Sequence, residues 1–158
     1  MIKRRTFVAH LAGVAALGVA GRRLWARLPG LPVSPTAITV YKSSSCECCA
    51  KWIDHIRASG FAPVVHNEEN MDALKDQMGV PESVRSCHTA IMDRYFIEGH
   101  VPASDIRRLL AEQPKTAGLA VPGMPPRTYG MAPPGVEVGG YDVVEFQGNG
   151  QTRIFARH

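Results

Sequence analysis

The sequence predicts an α/β domain whose elements run β-α-β-α-β-β-α, followed by a Pro/Gly-rich loop and a β-hairpin. Three observations predict it. Short β-branched runs alternate with segments of helical apolar spacing. Glycines and prolines fall at the joints between them. A cysteine cluster lies where the first strand gives way to the first helix. The 158 residues suffice for one such domain and a leader.

The elements follow in order. Ile38-Thr39-Val40-Tyr41 is β-rich and short, so the domain is expected to open with a strand near Ala37. Ser44 followed three residues later by Glu47 reads as a capping box, the mark of a helix start. Cys49, Trp52, Ile53 and Ile56 then fall on one helical face, and Gly60 supplies the stop. Phe61 to His66 reads as a second strand. Met71, Leu74 and Met78 space a short helix ended by Gly79 and Pro81. Thr89–Met92 and Tyr95–Glu98 read as two strands about a turn at Asp93-Arg94. Pro102 starts another helix, with Ile106, Leu109 and Leu110 inward. Gly118 to Gly140 is rich in proline and glycine and reads as loop. Tyr141–Phe146 and Arg153–Ala156 then form a hairpin across Gly148-Asn149-Gly150.

The first 27 residues are of another kind. They hold Lys3, Arg4, Arg5, Arg22, Arg23 and Arg27 and no acid, around an apolar run from Phe7 to Ala20. That run is shorter than the roughly 20 residues a membrane-spanning helix needs. A basic start, a short apolar middle and a small-residue end predict a signal peptide at 1–27. Arg4-Arg5-Thr6-Phe7 resembles the twin-arginine signal for exporting folded proteins. Gly18-Val19-Ala20 and Leu24-Trp25-Ala26 are candidate cleavage sites, and an uncleaved tail or anchor is the alternative. Pro29, Pro32 and Pro35 make 28–36 an extended linker, so the folded domain is expected at 37–158. Export implies a periplasmic protein whose contact with the membrane is through the leader. The six leader cations also account for the formal charge of +4. Without them 12 basic residues face 14 acidic ones, a net of −2, so the charge offers no argument for nucleic-acid binding.

The element order is that of a minimal thioredoxin-like fold, and the cysteines lie where that fold places its active thiols. Cys46 and Cys49 are three apart on a helix and share a side; Cys48 points elsewhere unless the first turn is distorted. Free backbone N–H groups and the dipole at a helix N-terminus favour thiolate, the form that binds metal or attacks disulfides. Cys87 precedes the third strand, and in a thioredoxin-like fold that loop packs beside the helix-start thiols. Four sulfurs are therefore expected to meet.

The matching motifs run in order along the chain: Cys46-Glu47-Cys48-Cys49 with Trp52, Gly79-Val80-Pro81, Ser86-Cys87-His88-Thr89-Ala90, Glu98-Gly99-His100-Val101-Pro102, and Gly118-Leu119-Ala120-Val121-Pro122-Gly123-Met124-Pro125. With them the chain resembles the CopG-like periplasmic copper-resistance proteins, a thioredoxin-like domain. The resemblance covers roughly residues 37–146. It implies metal binding, usually of copper, outside the cytoplasm, with Cys46, Cys48, Cys49 and Cys87 as ligand candidates. Where that family continues with a Gly-Ser-Pro-Gly-Met-Glu-like run, this chain reads Pro126-Arg127-Thr128-Tyr129-Gly130-Met131-Ala132. A ligand role for Met131 therefore does not carry over.

Clustered thiolates select copper(I), zinc or an iron–sulfur cluster. Four-cysteine zinc sites use two separated pairs, whereas here three sulfurs crowd into four residues, which suits bridging ligation. Copper(I) is the expected metal and zinc the second choice, with the metal ion and other periplasmic copper-handling proteins as partners. A binding protein rather than an enzyme is expected. The alternative is a periplasmic thiol–disulfide oxidoreductase using Cys46 and Cys49. Against it stand the extra Cys48 and the position of Cys87, about where oxidoreductases of this fold carry a proline. A structural or resting disulfide is expected to join Cys87 to Cys46 or Cys49.

His88, His100 and Met124 are additional candidates, as ligands or as partners that orient ligands; ordinary hydrogen-bonded histidines and a loop anchor are the plainer readings. His55 is expected to face solvent and His66 to end a strand. Met71, Met78 and Met92 read as core, as does Trp52 behind the site. No catalytic triad, phosphate loop or paired carboxylates are found, so hydrolase and kinase readings have no residues to carry them.

Overall fold

The structure is a computed structural model, and it describes residues 36–158. The signal peptide expected at 1–27 and the linker expected at 28–36, Thr36 apart, lie outside the described residues. The elements are β1 (Thr36–Lys42), α1 (Glu47–Ala58), β2 (Phe61–Asn67), α2 (Met71–Met78), a 3-10 turn (Glu82–Val84), β3 (His88–Met92), β4 (Tyr95–Glu98), α3 (Ala103–Glu112), β5 (Gly118–Ala120), β6 (Asp142–Phe146) and β7 (Thr152–Arg157). Up to α3 the strands and α-helices follow the anticipated β-α-β-α-β-β-α order, with β1 opening one residue before the expected Ala37.

The described strands form one sheet in the order β2-β1-β3-β4-β5-β6-β7. β1 and β2 are parallel, as the connection through α1 requires. β3 runs antiparallel to β1 and to β4. β5 pairs parallel to β4 and antiparallel to β6, and β6 and β7 make the expected hairpin.

Alternation along β1 buries Ile38 and Val40, and the same period puts Lys42 inward beside the site. Cys49, Trp52, Ile53 and Ile56 of α1 are buried at the i, i+3, i+4, i+7 positions. Ile106 and Leu109 of α3 are fully buried and Leu110 is half-buried, as the spacing predicts. Each fully buried aliphatic of this kind contributes about 1.5–3 kcal/mol. These side chains share one core with Tyr95, Ile97 and Leu119. Among the described residues no helix is long and apolar enough to cross a membrane.

Several expectations are corrected. The stretch from Gly118 contains a strand rather than loop alone: β5 bridges the four N-terminal strands to the hairpin. Gly118 permits the pairing, because an added Cβ there would run into the Phe96 carbonyl. The capping box does not form. The serines are taken up by a turn in which Ser43 O accepts from Cys46 N, while Ser43 and Ser45 hydroxyls bond each other. Cys46 is thereby the N-cap, with extended φ and ψ and no side-chain cap, and Glu47 is the first helical residue. Of the three methionines read as core, Met92 is buried, whereas Met71 and Met78 are only half-buried, Met78 packing against the smaller cluster of Val80, Val84, Ala120 and Phe146.

Candidate metal centre

The site forms where the β1–α1 turn meets the loop entering β3. Cys46 ends the turn, and Cys48 and Cys49 occupy the first turn of α1. Cys87 precedes β3, whose first residue, His88, stands opposite Lys42 across the β1–β3 ladder. The ligand atoms of Cys46, Cys48, Cys49 and Cys87 lie within 4.8 Å of one another. So do those of Cys49, Cys87, His88 and His100. The structure thus brings together the four cysteines and the two histidines singled out from the sequence. Met124 is 46% exposed in its loop.

Cys46 and Cys49 are joined by a disulfide, and Cys48 and Cys87 are free. This corrects the expected bridge to Cys87: the side shared by residues three apart on a helix brings Cys46 and Cys49 together first. Cys48 does not point away. The extended backbone at Cys46 distorts the first turn and leaves Cys48 Sγ 3.6 Å from Cys46 Sγ. Sulfurs sharing a tetrahedral metal at about 2.3 Å stand about 3.8 Å apart, so this pair is already close to ligating distance.

The Cys87 Sγ lies 3.2 Å from His100 Nε2 and 3.5 Å from His88 Nδ1. Burial, with the neighbouring Cys48 thiol, pushes the Cys87 thiol up to about 12, so without metal it keeps its proton. Burial lowers His100 to about 4 and holds His88 well below its ordinary value, the latter helped by His100, Lys75 and Lys42. Both imidazoles are neutral at pH 7 and can offer a lone pair. His88 Nε2 is buried without a hydrogen-bond partner. That ring packs on Trp52 at 4.2 Å, while the indole Nε1 donates to Val101 O at 2.9 Å. Trp52 is core behind the site, as its position suggested.

Two buried lysines lie beneath this cluster. Lys75, from α2, donates to Glu98 Oε2 and Thr89 Oγ1, both at 2.7 Å. Glu98 Oε2 also accepts from Ser86 N at 3.1 Å, which ties down the loop carrying Cys87. Lys42 Nζ donates to Ser43 O at 2.6 Å and, among the described residues, makes no ion pair. Both cations help to keep the His88 imidazole neutral.

The loop after β5 folds back over α1. Gly130, with φ of +92°, lies so close that a Cβ would meet Cys48 O at 2.7 Å and Trp52 N at 2.8 Å. Tyr129 stacks on His55 at 3.7 Å, and His55 Nε2 accepts from Ala103 N. His55 is therefore half-buried rather than solvent-facing, because this loop covers it. His66 does lie near the end of β2, exposed and stacked on Tyr41. Sequence reasoning missed Lys42, Lys75, Glu98 and Thr128; inward alternation in β1 is the signal that could have found Lys42.

Residues 84–131, which include Cys87, His88, His100 and the covering loop, match the family described as "Protein of unknown function, DUF411". No curated protein matches the chain. Similar solved structures include the copper resistance protein CopG in form 1 and in form 2. Each is 43% identical, with a TM-score of 0.71, over 78% of this chain and 98% of the other.

Proposed function

The chain belongs to the family of the copper resistance protein CopG, and from that premise we propose that it is an exported protein that binds copper(I) through Cys46, Cys48, Cys49 and Cys87. The observation that carries the reading is four sulfur atoms within 4.8 Å of one another at a helix start. The donor set fits a soft ion: thiolates select copper(I) first and zinc next. His88 and His100 stand as nitrogen donors at the inner edge of the cluster, with His88 Nδ1 and His100 Nε2 beside Cys87 Sγ. Loading requires the Cys46–Cys49 disulfide to be reduced by an external dithiol, which gives up two electrons and two protons and is itself oxidised to a disulfide. A bound metal then displaces the proton that burial holds on Cys87. Copper is here the cargo, and its sequestration, relay or change of redox state follows in the periplasm. The twin-arginine leader at residues 1–27 supplies the export route, and other copper-handling proteins of that compartment are the expected partners.

The Cys46–Cys49 disulfide with a free thiol 3.6 Å away favours a second reading, thiol–disulfide exchange. Cys87 is no attacking group for it, since burial keeps it as thiol. One preparation separates the readings. The full chain, reduced and kept free of oxygen, is offered copper(I) and zinc in competition, beside the Cys87→Ser variant. Copper retained by the parent and reduced in the variant supports the binding reading. No retention of either metal, with turnover of a generic disulfide that Cys46→Ser abolishes, moves the assignment to exchange.

A further inference from the structure

A neutral imidazole carries one proton, and which nitrogen holds it decides what the other can do. His100 presents Nε2 to Cys87 Sγ at 3.2 Å and Nδ1 to Thr128 Oγ1 at 3.2 Å. Thr128 is fully buried. Its hydroxyl has a single proton, which it donates to Pro125 O at 3.0 Å, and its backbone N–H turns toward the same carbonyl at 3.3 Å. With its proton so engaged, Thr128 Oγ1 faces His100 as an acceptor only. That arrangement assigns the hydrogen to Nδ1 and leaves Nε2 with a lone pair toward Cys87.

We propose that Thr128 is a positioning residue that fixes His100 as the Nδ1–H tautomer and thereby presents Nε2 as a ready donor atom beside Cys87. Thr128 lies in the run from Pro126 to Ala132 where this chain departs from the family pattern it otherwise follows, so the role is read from this chain's own contacts. A metal ligand oriented through its second nitrogen is a recurring arrangement, and loss of the orienting group weakens metal affinity about 10- to 100-fold. The consequence for metal rests on the proposed function; the tautomer does not.

The test uses the reduced, metal-free full chain at pH 8, where an ordinary imidazole is neutral. The ring nitrogens of His100 are observed by 15N NMR in the parent, Thr128→Ser and Thr128→Val. The expected result is a protonated Nδ1 and a bare Nε2 in the parent and in Thr128→Ser. Thr128→Val should show the second tautomer mixing in. Copper(I) affinity, measured against a chelator, should fall about 10- to 100-fold in Thr128→Val and be restored in Thr128→Ser. In a His100→Gln background Thr128→Val should have no further effect, since the hydroxyl acts through that ring. A Thr128→Val protein that keeps a pure Nδ1–H signature overturns the proposal. A parent that carries its proton on Nε2 overturns it without any variant. If the parent binds no copper(I), the functional reading fails, while the nitrogen spectra still decide the role of Thr128.

Discussion

Replacing Glu98 by Gln tests the buried support of the site. The Glu98 carboxylate is fully buried and is the only acid paired with Lys75 among the described residues, at 2.7 Å. It also accepts from Thr89 Oγ1 at 2.5 Å and from Ser86 N. Glutamine keeps the shape and one acceptor oxygen but removes the charge, leaving the Lys75 ammonium buried and uncompensated. Breaking one side of a buried ion pair costs about 3–5 kcal/mol, against a total stability of about 5–15 kcal/mol for a domain. Urea unfolding of the reduced, metal-free chain reads this directly. With a slope of about 1–3 kcal/mol per molar urea, the midpoint should fall by about 2 M. Glu112→Gln is the control, since its pair with Arg108 is surface-exposed and should matter by less than about 0.5 kcal/mol. A Glu98→Gln midpoint that moves no further than the control would refute the reasoning, showing that Lys75 does not depend on Glu98 for its charge balance. Copper affinity should fall in the same variant, because the bond from Ser86 N that holds the Cys87 loop loses its charged acceptor.

Other outcomes follow from the same geometry. His100 and His88 bind protons less readily folded than unfolded, so the unfolded chain takes up more protons between about pH 6.5 and pH 4. Stability of the metal-free protein should therefore be retained above pH 6.5 and lost as pH falls through that window, by up to about 1.4 kcal/mol per unit per group. Thermal melts across pH 4–7 check the sign. Cys87 behaves oppositely at high pH: its folded value lies above its unfolded one, so stability should decline as pH rises from about 9 toward 12. Copper(I) binding must expel that proton, so between pH 6 and 8 the affinity should rise about tenfold per pH unit for each proton released, with calorimetry in two buffers counting the protons. Gly130→Ala places a Cβ against Cys48 O and Trp52 N at a left-handed φ, and should cost about 1–3 kcal/mol while loosening the loop over the site. Unchanged stability in that variant would mean that the loop does not pack on α1 as described.

Much of the site could be read from the sequence because it depends on local rules. The strand-to-helix junction places Cys46, Cys48 and Cys49, and a loop before the third strand places Cys87 beside them. His88 and His100 were legible as neighbours of those motifs. What was not legible depends on long-range pairing. Lys75 sits in an amphipathic helix with Asp72 and Asp76, where a lysine reads as solvated, and only its meeting with Glu98, 23 residues on, buries it. β5 is three residues long, too short to show alternation within a glycine- and proline-rich stretch. The stack of Tyr129 on His55 and the grip of Thr128 on His100 arise because the loop returns to α1, which no periodicity announces. The capping box failed for a local reason: Ser43 and Ser45 bond each other, so the turn completes two residues later than the motif suggests.

X-ray absorption at the copper edge, on the reduced full chain loaded with copper(I), reads the atoms that hold the metal. The expected spectrum is a nearest-neighbour shell dominated by sulfur, with sulfur lost in Cys87→Ser. A shell of nitrogen and oxygen alone, or one that Cys87→Ser leaves unchanged, would contradict it.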